Sequence, residues 1–390
     1  MPPTIHPNIA SQSAVTLFLC GDVMTGRGID QILPHPSKPH LFEAYVRSAL
    51  RYVEIAEEAS GRLPLAVSFD YIWGDAIALL DAMRPDARII NLETAITTAE
   101  DARPGKGIHY RMHPRNVDCL SAARIDCCVL ANNHVLDWGQ RGLVETLDAL
   151  THARVGYAGA GHHDIEAAAP YIMTLPGACR VLVFAFGMES AGVLPEWAAR
   201  PHGVGISLLR DLSPASSEGI VRRIHAVKRP GDVVIASIHW GGNWGYAISP
   251  AERAFAHRLI EAEAIDILHG HSSHHPKAIE IYRNRLILYG CGDLLNDYEG
   301  IGGHASFRPD LTMMIFPTID VTTGQLLSLV LAPVRIHRFR INRTTEAETH
   351  WLLERLNREA AGLGVRLILQ PNGMFAARWG PALNDCPGTP

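Results

Sequence analysis

Four histidines, His269, His271, His274 and His275, stand within seven residues directly after the apolar run 265–268. That run reads as a buried parallel strand. The histidines are expected on the loop that leaves its carboxyl end, where open α/β sheets place ligands. Neutral imidazole is the commonest nitrogen ligand for metals, and it titrates near neutral pH. The cluster therefore reads as metal ligands or as acid/base groups. A solvated histidine-rich loop is the plain alternative, and it weakens because similar residues recur at other strand exits.

The first apolar run, 15–20, ends in Gly21-Asp22-Val23-Met24-Thr25-Gly26-Arg27-Gly28. Its glycines permit a tight turn near a ligand. Asp22 either projects into a cleft or caps a helix. The run 87–90 ends in Asn91-Leu92-Glu93-Thr94, and Asn91 and Glu93 share one face of an extended chain. The run 125–131 leads into Asn132-Asn133-His134-Val135-Leu136-Asp137-Trp138-Gly139. Strand 232–238 leads into His239-Trp240-Gly241-Gly242-Asn243-Trp244, and strand 285–289 delivers Gly290-Cys291-Gly292-Asp293. Polar exits repeated in this way point to one convergent site.

The elements that must position these exits alternate between strand and helix. Helices are expected at 42–59, 73–83, 141–150 and 345–361 from their spacing and stop signals. Further strands are expected at 171–175, 180–186, 278–282, 313–321 and 326–334. Residues 189–217 carry three prolines and read as a long loop over the cleft. This alternation predicts an α/β fold with a mainly parallel sheet core. One large domain, 1–340, is expected, with 341–390 as a C-terminal helical appendage and frayed tail.

Composition narrows the partners. The 390 residues are 47% hydrophobic and 19% charged, as in ordinary globular proteins. The net charge is −5 with no basic stripe, so nucleic acid is not an expected partner. The seven cysteines are scattered without a Cys-x-x-Cys pair, which points to a reducing compartment. Residues 1–13 hold no apolar run of the secretory type, and no stretch is long enough to span a bilayer. A cytoplasmic protein without a membrane partner is expected.

Taken in order, Gly21-Asp22-Val23-Met24-Thr25-Gly26-Arg27, Asn91-Leu92-Glu93-Thr94, Asn132-Asn133-His134-Val135-Leu136-Asp137-Trp138-Gly139, His239-Trp240-Gly241 and Gly270-His271-Ser272-Ser273-His274 resemble the CapA family of poly-γ-glutamate capsule synthesis. That family is related to calcineurin-like metallophosphoesterases. The resemblance spans roughly 15–297. It implies a calcineurin-like β-sandwich core flanked by helices, in four α/β/β/α layers. It further implies metal ligands at Asp22, Glu93, Asn133, His239, His271 and His274, with His134 as an acid. Met24 stands where the phosphoesterase pattern has a histidine, and Glu93 replaces an aspartate. Met is a poor ligand for hard cations, so these departures point to one divalent ion (Ca, Mn, Mg or Zn) rather than two.

Some soluble relatives resemble peptide-modifying enzymes, including lasso-peptide epimerases. A metal-dependent peptide epimerase that inverts a C-terminal Cα is therefore expected. Its acid/base groups would be His134, Asp137, His239, His271 and Asp22. A peptide substrate would meet Arg27, Trp240, Asn243, Trp244 and Asp293. Arg27 would grip a carboxylate or lie on the surface, and the tryptophans would wall a pocket or sit in the core. The alternative is a metallophosphoesterase, or a γ-glutamyl amide hydrolase or ligase of the capsule type.

Overall fold

Short runs of Val, Ile and Leu bury both faces of a strand, and here they assemble into two large sheets. The computed structural model describes residues 14–380. The expectations for 1–13 and for the tail at 381–390 lie outside the described residues. One sheet has ten strands. Its main path runs Val365–Leu369, Phe375–Trp379, Leu326–Ile336, Leu311–Asp320, Ala14–Val23, Ala87–Leu92, Cys127–Val129, Gly156–Ala158. Asp293–Leu295 pairs beside Ala14–Val23, and Ile341–Arg343 beside Leu326–Ile336. The second sheet has six strands in the order Ile279–Tyr282, Arg285–Leu288, Ile267–His271, Val233–His239, Arg180–Gly187, Tyr171–Thr174. The four inner strands of the second sheet from Arg285–Leu288 to Arg180–Gly187 are parallel, as expected. The first sheet is mixed: Ala14–Val23, Ala87–Leu92, Cys127–Val129 and Gly156–Ala158 run parallel, whereas the half from Leu311–Asp320 to Val365–Leu369 is antiparallel.

The two-residue alternation of a strand sorts the second sheet into two faces. Val181, Val183, Val233, Ile235 and Ile267 join the large apolar cluster shared with the first sheet. Leu182, Phe184, Val234, Ala236 and Leu268 join a separate cluster with Ile220 of helix Pro214–His225 and Phe255 of helix Pro250–Glu261. The first sheet shares its cluster with Leu79 of helix Asp75–Met83 and Leu147 of helix Gly139–His152. The result is a sandwich of two sheets with helices packed on it, the α/β architecture that the sequence indicated.

Several elements differ from the sequence expectations. The strand expected to stop at Leu268 continues to His271, because it stays in parallel register with Val233–His239 and pairs His239 with His271. His269 and His271 are therefore strand residues, not loop residues. The helix expected over 42–59 forms only at Leu50–Ser60. Helices Pro214–His225 and Pro250–Glu261 were not foreseen. Each begins with a capping serine followed by proline, and Ser249 with Glu252 completes a capping box. The segment 189–217 ends in the first of these helices and contributes the short strand Gly205–Ile206. Residues 341–380 are more than a helical appendage. Beside helix Glu346–Glu359 they supply a hairpin that forms the edge of the ten-stranded sheet. Among the described residues, no helix is long and apolar enough to cross a membrane.

Phe375 is fully buried in the main cluster. Phe375→Ala is expected to cost about 3–5 kcal/mol of stability, read by urea unfolding. A loss below about 1 kcal/mol would show that this hairpin packs independently of the sandwich.

Candidate metal centre

The inward face of the second sheet turns from apolar to polar at the carboxyl ends of its strands. On Val233–His239 the face that carries Val233 and Ile235 continues as Ser237 and His239. On Ile267–His271 the face that carries Ile267 continues as His269 and His271. The register sets Ser237 beside His269 and His239 beside His271. His239 Nδ1 lies 2.8 Å from His271 Nδ1, and His271 Nε2 lies 2.8 Å from Ser237 Oγ. Both histidines are buried, and burial first, then neighbouring imidazoles, pushes their pKa well below the usual value.

The facing carboxylates come from the first sheet. Asp22 follows an irregularity in the ladder between Ala14–Val23 and Ala87–Leu92, and it pairs with Asp293 on the other side. Asn91 Nδ2 donates to Asp22 Oδ1 at 2.7 Å and to Glu93 Oε2 at 3.1 Å. Asn132 Nδ2 in turn donates to Asn91 Oδ1 at 3.0 Å. Asp22 Oδ2 is buried and has no hydrogen-bond partner. Burial, then the nearby Asp293, pushes Asp22 up to about 7. Glu93 is also raised, by burial first and then by Asp22.

Two ligand groups emerge, and they share Asp22. In one, Asp22, His239 and His271 offer atoms within 4.8 Å of one another; in the other, Asp22, His274 and Asp293 do so. His274 Nδ1 is 3.0 Å from Asp293 Oδ1, and Asn296 steadies the other Asp293 oxygen at 2.8 Å. Burial opposes the charged form of His274, but Asp293 outweighs it and raises the pKa. Carboxylate oxygens and imidazole nitrogens suit divalent first-row cations. An orphaned carboxylate oxygen at the point shared by both groups fits such an ion. The sequence pointed to one ion, whereas the residues offer two overlapping groups. Asp293, expected as a substrate contact, lies in one of them. Glu93 and Asn133 sit at the margin of the first group. Their side-chain oxygens lie 3.9 and 3.2 Å from His239 Nε2.

His134 forms a distinct device beside this centre. Its Nδ1 is 2.6 Å from Asp137 Oδ2, and its Nε2 is 3.8 Å from Glu93 Oε1. Tyr110 N–H donates to the same Asp137 oxygen at 2.7 Å, and the Tyr110 ring meets His134 edge-on. Lys106 pairs with the other Asp137 oxygen and with the Asn133 carbonyl. Burial alone would raise Asp137, but His134 and Lys106 outweigh it and hold the carboxyl below its usual range. Burial pushes His134 down to about 4 against the pull of Asp137. The ring is thus neutral and oriented, with Nε2 toward the centre.

Two expected substrate contacts lie elsewhere. Arg27 is only 3% exposed. Its Nε and Nη2 bind Asp297 at 2.8 and 2.6 Å, its Nη1 binds Glu43 at 3.0 Å, and Tyr52 lies 3.6 Å below it. An arginine with these partners is not free to hold a substrate carboxylate. Instead it ties the 293–297 segment to the first turn of the chain. Trp240 faces the helix side of the second sheet, where it packs on Phe255 and Tyr289 and donates to the Tyr289 carbonyl. It walls no pocket by the histidines, because a one-residue step from His239 reverses its direction. Trp138 is also core, donating to the Tyr110 carbonyl. Trp244 does flank the centre, 5.3 Å from the His274 ring and stacked on His304 at 3.8 Å. Asn243 is exposed, and its carbonyl accepts the His274 N–H at 3.0 Å. Lys106 was missed by the sequence reading; its only signal was its place between Gly105 and Gly107 in a loop.

Residues 16–298 match the family described as bacterial capsule synthesis protein PGA_cap. The chain belongs to this family. Among PGA_cap relatives, a probable polyglutamine synthesis accessory protein of Mycobacterium tuberculosis is 46% identical over 93% of this chain and 95% of its own. The capsule biosynthesis protein CapA of Bacillus anthracis is 24% identical over 73% of this chain and 60% of its own. Among solved structures, a novel phosphatase of Mycoplasma pneumoniae covers 83% of this chain and 94% of its own, at 12% identity and a TM-score of 0.44. That likeness is too distant to carry an argument about chemistry. The matched span includes every member of both ligand groups, along with His134 and Asp137.

The raised Asp22 pKa gives a pH dependence of definite sign. Without metal, the folded chain holds a proton that the unfolded chain releases near the ordinary carboxylate value. Stability contributed by Asp22 is therefore full at low pH and falls as pH rises toward about 7. A divalent ion must displace that proton, so affinity should climb between pH 6 and 8 with proton release. Calorimetric titration with Mn²⁺ at several pH values reads this directly. Affinity that is flat across this range would contradict the Asp22 assignment.

Proposed function

We propose that the protein is a metal-dependent hydrolase of the capsule-synthesis type, acting on a phosphoester or on the amide bond of a γ-glutamyl chain. The observation that carries this reading is the pair of ligand groups sharing Asp22, with its partnerless oxygen between them. Asp22, His239 and His271 would hold a divalent ion, and Asp22, His274 and Asp293 offer a second seat. A bound ion would polarise the substrate oxygen and stabilise the charge that builds there. The names of the relatives support the substrate class, since they are tied to capsule and polyglutamine synthesis.

The chain's own residues supply the proton chemistry. His134 Nε2 faces the centre; bare in the neutral ring, it takes a proton from the attacking water and returns it to the leaving group, while Asp137 orients the ring through Nδ1. Lys106 holds Asp137 and the Asn133 carbonyl, and thereby fixes the loop that presents His134. Trp244 and His304 form a flat wall beside His274 on which substrate can lie. The six free cysteines among the described residues, five of them buried, suit a reducing cytoplasm.

Peptide Cα epimerisation is the second reading. It keeps one specific observation: two imidazoles on different elements, His134 and His274, each set by its own carboxylate. Such a pair suits proton removal on one face and return on the other. The saturated Arg27 withdraws the carboxylate grip that this reading had used.

His134→Ala is expected to lower kcat by roughly 10²-fold or more with metal content unchanged, using a phosphodiester and a γ-glutamyl peptide as substrates. The same peptides incubated in heavy water separate the readings. Cleavage without deuterium at Cα supports hydrolysis. Deuterium at Cα with inversion and no cleavage overturns it in favour of epimerisation.

A further inference from the structure

A buried chain of polar groups runs behind the centre and ends on the backbone. His269 Nε2 lies 2.7 Å from the Cys20 carbonyl oxygen. His269 Nδ1 lies 3.1 Å from Ser237 Oγ, and Ser237 Oγ lies 2.8 Å from His271 Nε2. His271 Nδ1 then faces His239 Nδ1 at 2.8 Å and Asp22 Oδ1 at 3.9 Å. His269 and Ser237 are fully buried, and neither has a carboxylate partner.

The direction of this chain follows from one fact. A carbonyl oxygen only accepts, so His269 Nε2 must carry a proton and donate it. Nε2 thus holds the single proton of a neutral imidazole, and Nδ1, whose partner is the Ser237 hydroxyl, accepts. The Ser237 hydroxyl has one proton, and it goes to His269. Ser237 Oγ must therefore accept from His271, which places a proton on His271 Nε2. Residues that hold the far nitrogen of a ligating histidine fix its tautomer in this way.

We infer that the Cys20 carbonyl, His269 and Ser237 act as a tautomer-fixing chain that leaves Nδ1 of His271 unprotonated and turned toward Asp22 and His239. Ser237 and His269 are positioning residues, since neither faces the cation seat. The inference rests on the metal reading above only for its use; the tautomer itself is a property of the metal-free chain. The sandwich explains why the signal can travel. Cys20 belongs to the first sheet and His269 to the second, so the hydrogen bond between them crosses the two layers.

The test is nitrogen NMR of the ¹⁵N-histidine-labelled, metal-free protein at pH 7.5. His271 and His269 are each expected as the Nε2-protonated neutral form. A proton on His271 Nδ1, or a charged ring, overturns the chain. Ser237→Ala removes its middle link and leaves a smaller side chain. This variant is expected to mix the His271 tautomers and to weaken Mn²⁺ binding by ten- to a hundred-fold, with the histidine signals of the surface unmoved. An unchanged tautomer and affinity in Ser237→Ala overturn the inference. If that variant does not fold, the wild-type spectrum alone decides. A wild type that shows the tautomer but binds no Mn²⁺ upholds the chain and overturns the metal reading instead.

Discussion

Three carboxylates, Asp22, Glu93 and Asp293, are buried together at the meeting line of two sheets. Charges taken out of water near like charges are expensive unless something neutralises them. The protein answers only part of this demand from within. Asn91 serves one oxygen each of Asp22 and Glu93, and Asn296 serves Asp293. Asp22 keeps one oxygen without a partner, and both Asp22 and Glu93 shift toward the neutral form. A divalent cation at that oxygen would complete the arrangement, and the two neutral histidines opposite are suited to receive it. The surrounding structure follows from this constraint. Asn132 anchors Asn91, Arg27 fixes the Asp297 end of the segment that carries Asp293, and the chain through Ser237 orients His271.

The same strand periodicity that builds the core also builds the centre. Val233 and Ile235 fill the space between the sheets, and the next two residues on that face are Ser237 and His239. The site is thus an extension of the sandwich interior into polar side chains, with backbone positions fixed by ladder hydrogen bonds. His134 is different. It stands on a loop past Cys127–Val129 and depends on Asp137, Tyr110 and Lys106 for its orientation.

Much of this was legible in the chain. The strand exits announced themselves because each joins an apolar run to residues that bind or move protons, and Asp22, His239, His271 and His274 do meet at one place. Side-chain direction was harder to read. Trp240 and His239 are neighbours in sequence but face opposite sides of a sheet, so adjacency misled for the tryptophan. Arg27 looked free because its partners, Glu43 and Asp297, are distant in sequence and only the fold brings them near. Lys106 was invisible for the same reason, since its meaning lies in contact with Asp137. The helices beginning at Pro214 and Pro250 carried visible serine–proline caps, and the run of polar residues around them masked their apolar stripe. The C-terminal hairpin was hidden because Val365–Leu369 and Phe375–Trp379 are short and interrupted by arginine.

The central claim is that Asp22 is the shared ligand of a cation held between the two sheets. Anomalous X-ray diffraction from crystals grown with Mn²⁺ tests it most directly. The account predicts a peak within about 2–2.6 Å of Asp22 Oδ2, completed by His239 and His271, by His274 and Asp293, or by both sets. A fully occupied peak elsewhere, with Asp22 making no contact to it, would contradict the account.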